Sequence, residues 1–184
     1  MHSISKKIVY TMSILFFTTA CESNEELVND SVVYTKISDC VEQVKNDNAA
    51  FSHLKCKGVG THELNITIQE PVYFTLGLKK GTVEALSEFE EISGELPLET
   101  GPVIEWYLRG DNPRFMIYRV SWGTEDDPFT MKEYLVLSYV AGTRICPLAK
   151  VDMTENKHAN KKVRELLNSK FLSVKSCPKI IENV

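Results

Sequence analysis

The stretch VIEWYLRGDNPRFMIYRVSW, residues 103–122, decides the fold. In its first part Ile104, Trp106 and Leu108 alternate with polar or amphipathic neighbours and share one face, as they do in a β-strand, whose side chains repeat with a period of two. Gly110-Asp111-Asn112-Pro113 then offers turn chemistry, and residues 115–122 resume with aromatic and β-branched side chains. The stretch predicts two paired strands. Working outward, Leu64, Ile66 and Ile68 alternate with Glu63, Asn65, Thr67 and Gln69, and after Pro71 the residues Val72, Phe74, Leu76 and Leu78 alternate with Tyr73, Thr75 and Gly77. A further pair is expected at 133–140 and 144–151 around Ala141-Gly142-Thr143.

Only one segment shows a clear helical period. Ala159, Val163, Leu166 and Leu167 fall at i, i+4, i+7 and i+8, while Lys157, Lys161, Lys162 and Arg164 face elsewhere. Asp152 and Glu155 stand in capping-box spacing, with Thr154 as a rival cap, which predicts a helix over 155–168. Residues 82–100, with Ala85, Leu86, Phe89 and Ile92 among five glutamates, fit a short helix or an irregular acidic crossing. The predicted fold is α+β: an antiparallel sheet of about six or seven strands with a C-terminal amphipathic helix packed on it and two disulfides.

The chain has 184 residues, 43% of them hydrophobic and 25% charged, and five cysteines. Lys6 and Lys7 precede a ten-residue apolar stretch at 8–17, too short to cross a bilayer about 30 Å thick. Thr18, Thr19 and Ala20 then lead into Cys21, an order that resembles the bacterial lipobox, in which the cysteine is acylated and becomes the new N-terminus. Residues 1–20 therefore read as a signal peptide, 21–31 as a lipidated Cys21 with an acidic tether, and 32–184 as a single globular domain. Without the signal the chain keeps 19 basic and 25 acidic residues, a net charge of −6. That balance argues against nucleic acid as a partner.

Export gives Cys40, Cys56, Cys146 and Cys177 an oxidising surrounding, where an even set reads as a disulfide framework. Three pairings are open. Cys40 with Cys56 and Cys146 with Cys177 is the most local, and loop entropy does not exclude the crossed ones. No CxxC and no histidine at ligand spacing supports a zinc site instead.

Tyr34-Thr35, Cys40, Cys56-Lys57-Gly58-Val59-Gly60, Ile104-Glu105-Trp106-Tyr107-Leu108 and Cys146 ahead of an Asn/Ala-containing helix and a final Cys177 occur in that order. The set resembles a family of small exported proteins of Gram-negative bacteria with no assigned activity. Members of that family usually carry Gly-Tyr after the Cys-x-Gly turn, where this chain has Thr61-His62. The resemblance implies export, disulfides and fold, and no mechanism.

Motifs of chemistry are few. The sequence holds no GxSxG, HExxH, Walker A or dinucleotide fingerprint, and Gly58-Val59-Gly60 reads as a turn beside a disulfide. His53, His62 and His158 lie beyond the signal, no two of them at helical metal spacing. Either His53 or His62 could serve a serine nucleophile, though no motif singles one out. Glu125-Asp126-Asp127 lacks the alternating ligands of a calcium loop, and Arg109-Gly110-Asp111 reads as part of a turn. Trp106 is assigned to the core. Tyr107, Tyr118 and Trp122 are left as a possible binding surface.

These features imply no metal or cofactor. They favour a lipid-anchored envelope protein, facing the periplasm or the cell surface, that binds without catalysis, such as a hydrolase inhibitor or a toxin-immunity protein. The expected partners are the membrane, through Cys21, and a basic envelope protein. The alternatives are a periplasmic hydrolase with an unrecognised active site and a structural envelope lipoprotein, and, for location, a soluble periplasmic protein.

Overall fold

A computed structural model of the chain describes residues 30–45, 51–69, 73–87, 99–123, 130–179 and 181–184. Residues 1–20, read from the sequence as a signal peptide, Cys21, nearly all of the segment read as a tether, and the Glu125-Asp126-Asp127 loop lie outside the described residues. So does most of the acidic segment between 82 and 100. Asp30 and Ser31, assigned from the sequence to a tether, belong to the first strand.

Two sheets form where one was expected. Strand β1 (Asp30–Lys36), β7 (Glu99–Arg109), β8 (Asn112–Gly123), β9 (Met131–Ala141), β10 (Arg144–Asp152) and β11 (Glu182–Asn183) make a six-stranded sheet in that order. Strands β2 (Val41–Lys45), β3 (Phe51–Cys56), β4 (His62–Gln69), β5 (Tyr73–Lys80) and β6 (Val83–Leu86) make a five-stranded meander. All strand pairings are antiparallel except β10 with β11, so the larger sheet is mixed, and an isolated parallel bridge joins Ser87 to Ile145 of β10. The start of the acidic segment is neither a helix nor an irregular crossing, since 83–86 is the edge strand β6.

The reason for two sheets is visible in the side chains. Strands β4 and β5 bury one face only, through Leu64, Ile66, Phe74, Leu76 and Leu78. A sheet with one apolar face must cover it. The cover is the near face of the six-stranded sheet, where Ile104, Trp106, Leu108, Met116, Tyr118, Val120, Val136 and Ile145 complete one core. The opposite face carries a second core, in which Phe115, Ile117, Leu135, Leu137, Leu148 and Val151 meet the helix. Strands buried on both faces read as nearly continuous apolar runs. That is why residues 104–108 and 115–118 are buried without a break.

The helix, α1 (Ala159–Leu166), runs on into a wider turn over Leu167–Phe171 and buries Ala159, Val163, Leu167 and Phe171. It starts four residues later than its capping signal. Asp152 Oδ1 accepts the backbone N–H groups of Thr154, at 2.7 Å, and Glu155, at 3.2 Å, so it closes a turn at the end of β10 and caps nothing. Arg164 also departs from expectation: it turns toward the sheet, as described below.

Both local disulfides form. Cys40–Cys56 ties the entry of β2 to the end of β3, and Cys146–Cys177 ties β10 to the tail beyond the helix. The tail then inserts Ile181 into the inter-sheet core and pairs β11 alongside β10. Two such bridges suit an oxidising compartment outside the cytoplasm. Among the described residues no helix is long and apolar enough to cross a membrane.

Candidate functional site

Because β3, β4 and β5 send alternate side chains inward, the others line up on the outer face of the five-stranded sheet. Leu54, Leu64, Ile66 and Leu78 point to the core, leaving His53 and Lys55 on β3, Glu63, Asn65 and Thr67 on β4, and Lys79 on β5 facing out. Registration sets these groups side by side: His53 lies opposite Thr67, Lys55 opposite Asn65, Glu63 opposite Lys79, and Lys79 opposite Glu84 of β6. Together with Gln43 of β2 they line an open groove of about 430 Å³.

The groove is internally braced. His53 Nδ1 lies 3.1 Å from Thr67 Oγ1, Lys55 pairs with Glu63, and Asn65 Nδ2 donates to Glu84 Oε1 at 2.5 Å. Asn65 reaches Glu84 across β5 because Gly77, directly opposite Asn65, has no side chain to stand between them. The hydrogen bond and charge of Lys55 hold the Glu63 carboxyl below the usual carboxylate range. Two lysines and two glutamates balance within the face, so the net acidity of the chain resides elsewhere.

A second cluster of ionised groups sits under the helix. Glu105, only 7% exposed, accepts Arg164 Nε at 2.9 Å and Tyr107 Oη at 2.6 Å on Oε1, and Arg164 Nη2 at 2.6 Å on Oε2. Burial works to raise the Glu105 pKa, but the bidentate guanidinium and the phenol outweigh it and hold the carboxyl low. Burial, with the hydrogen bond to Glu105, pushes the Tyr107 phenol well above its ordinary range. These three groups line neither the groove on the five-stranded sheet nor the hollow beside His158. They clamp α1 to β7.

His62 shows a third perturbation. Its Nε2 donates to the Gly142 carbonyl at 3.0 Å, while Nδ1 is buried with no partner among the described residues. Burial, with the charge of Lys80, outweighs the backbone carbonyls of Gly142 and Val59 and lowers its pKa. The same loop carries Gly60 at φ +60°, where a Cβ would collide with the Asp111 carbonyl oxygen. Thr61-His62 and its preceding glycine thus latch the five-stranded sheet onto both hairpin tips of the other sheet, which makes Gly58-Val59-Gly60 a structural turn.

The aromatic surface suggested by the sequence does not form as such. Tyr107 and Tyr118 are buried, on opposite faces of a sheet that is itself covered on both sides. Tyr118 hydrogen-bonds to Ser138 at 3.2 Å, and burial pushes its pKa up to about 12. Trp122 pairs its backbone with Lys132 on β9, and its side chain lies outside the described residues. Trp106 is fully buried core, as expected. Of the groove residues the sequence reading names only His53, as a candidate partner of a serine; the polar half of the 63–69 alternation is the signal for Glu63, Asn65 and Thr67, which all lie on it.

Among the described residues no group of three His, Cys, Asp or Glu side chains is placed to hold a metal ion. Fold and site define a class: a disulfide-tied β-sandwich backed by one helix and presenting a braced, polar sheet face. No protein-family model, curated protein or solved structure matches the chain.

Proposed function

We propose that the protein is a lipid-anchored binding module of the bacterial envelope that engages a protein partner through the outer face of the five-stranded sheet. The construction of the groove supports this reading. Its side chains come from five strands, and His53, Thr67, Lys55, Glu63, Asn65 and Glu84 are held by cross-strand contacts before any partner arrives, which reduces the ordering cost of binding. Alternating charges with neutral donors and acceptors suit recognition of a polar protein surface, such as that of a cell-wall hydrolase or a toxin, while the net charge of −6, carried outside this face, raises the rate at which a basic partner meets the molecule as a whole.

Immobilised full-length chain, challenged with envelope extract, is expected to retain a discrete protein that the Glu63→Lys/Glu84→Lys variant retains at least about ten-fold less. Equal retention by both would place recognition elsewhere. The His53–Thr67 contact favours a second reading, a hydrolase, because an imidazole beside a hydroxyl is the start of a nucleophilic pair. Among the described residues no carboxylate bonds that imidazole, so the third member of such a device is not in place. Cleavage of the retained partner, abolished by Thr67→Ala, would favour the hydrolase.

Anchoring is tested separately. Cys21→Ala is expected to move the chain from the membrane fraction to the soluble fraction, since a surface-held domain has no other lipid attachment in this reading. A variant that stays membrane-bound after a high-salt wash would refute lipidation.

A further inference from the structure

Four strands end the two sheets, and three of them are blunted in ways that discourage edge pairing. Strand β11 has two residues, β6 has four and carries Glu84, and the pairing of β2 with β3 is interrupted by a bulge between Glu42 and Val44. Strand β1 has none of these guards. Its seven residues keep unbroken register with β7, contain no proline, and are uncharged from 31 to 35. Among the described residues no strand pairs with its outer edge. On its helix-side face Val32 is 42% exposed and Tyr34 60% exposed, beside Val103 of β7.

The sequence of β1, Asp-Ser-Val-Val-Tyr-Thr-Lys, complements itself when reversed about Val33. Asp30 then stands opposite Lys36, Ser31 opposite Thr35, Val32 opposite Tyr34, and Val33 opposite its own copy. Opposite charges, paired hydroxyls and a β-branched residue facing an aromatic are the cross-strand pairs that stabilise antiparallel ladders. Centring on Val32 or Tyr34 instead leaves the strand ends unpaired and sets Asp30 against Tyr34 or Val32 against Lys36. The complementarity therefore selects one register.

We propose that β1 is a homodimerisation strand: two copies pair antiparallel through their free β1 edges about a two-fold axis at Val33, joining their six-stranded sheets into one continuous sheet. The pairing satisfies the open backbone groups of both edges. It also brings Val32 and Tyr34 of one copy against Tyr34 and Val32 of the other, covering the exposed apolar pair.

The test is sedimentation equilibrium of the full chain in density-matched detergent. A mass twice that of the chain is expected. Asp30→Lys or Lys36→Asp alone creates two like-charge contacts by symmetry and should weaken association about ten-fold. The double variant Asp30→Lys/Lys36→Asp restores opposite charges and should return association to the wild-type value. Tyr34→Lys, at an exposed position, should abolish the dimer while leaving circular dichroism and thermal unfolding of the monomer unchanged. A wild-type monomer at every concentration overturns the proposal. A dimer that survives Tyr34→Lys, or whose charge variants are not rescued by the exchange, overturns it equally, because the copies then meet elsewhere.

Discussion

Trp106→Ala is expected to destabilise the fold by about 4 kcal/mol, within the 3–5 kcal/mol typical of deleting a fully buried aromatic ring. Trp106 is the largest fully buried side chain, set in the core between the two sheets, where neighbouring strands cannot collapse into the space it leaves. Its Nε1 donates to Thr35 Oγ1 at 3.0 Å, and Thr35 Oγ1 donates onward to the Lys57 carbonyl at 3.1 Å. The ring therefore also joins β1 and β7 to the loop that closes the five-stranded sheet. Trp106→Phe keeps much of the ring but loses the donor, for an expected cost of about 1–2 kcal/mol. Urea unfolding monitored by circular dichroism separates the two. An alanine variant within 1 kcal/mol of wild type would contradict the assignment of this core.

What the sequence disclosed follows from how each strand is buried. Strands β8, β9 and β10 were located to within about three residues, because turn residues such as Gly110 and Gly142 punctuate long apolar runs. The local disulfide pairing was also preferred from sequence. The second sheet was not foreseen, although Leu64, Ile66 and Ile68 announced an apolar face that had to be covered; what covers it is the near face of strands whose two-sided burial blurs their period. Strands β2 and β3 were missed because Val41, Glu42 and Gln43 are exposed and their run has no apolar alternation to read. The groove is harder still, since it arises only when polar residues of separate strands come into register.

Arg164→Met is expected to lower stability at neutral pH by about 2–3 kcal/mol and to reverse the local response to acid. Removing one partner of a buried ion pair costs roughly 3–5 kcal/mol, a figure reduced here because the Arg164 side chain is 44% exposed and partly screened by solvent. Methionine retains the aliphatic contact of the arginine stem with the sheet, so the change isolates the charge. In the wild type the Glu105 carboxyl is held below its unfolded pKa of about 4.3. The unfolded chain therefore binds the proton first, and the stabilisation, complete above that value, is lost as pH falls through the lower folded value. In the variant Glu105 keeps its burial but loses the guanidinium, so its folded pKa moves above the unfolded one and protonation relieves the penalty. From pH 7 down to about 4.3 the wild type should keep this contribution while Arg164→Met regains stability, and below that value the wild type loses it, so the two curves should converge. Glu105→Gln provides the check, because it removes the titrating group and should flatten the loss in the wild-type background and the regain in the Arg164→Met background. Parallel pH profiles for wild type and Arg164→Met would mean that Glu105 does not depend on Arg164 for its charge, and the clamp between helix and sheet would then rest on the apolar contacts of Val163, Leu167 and Phe171 alone.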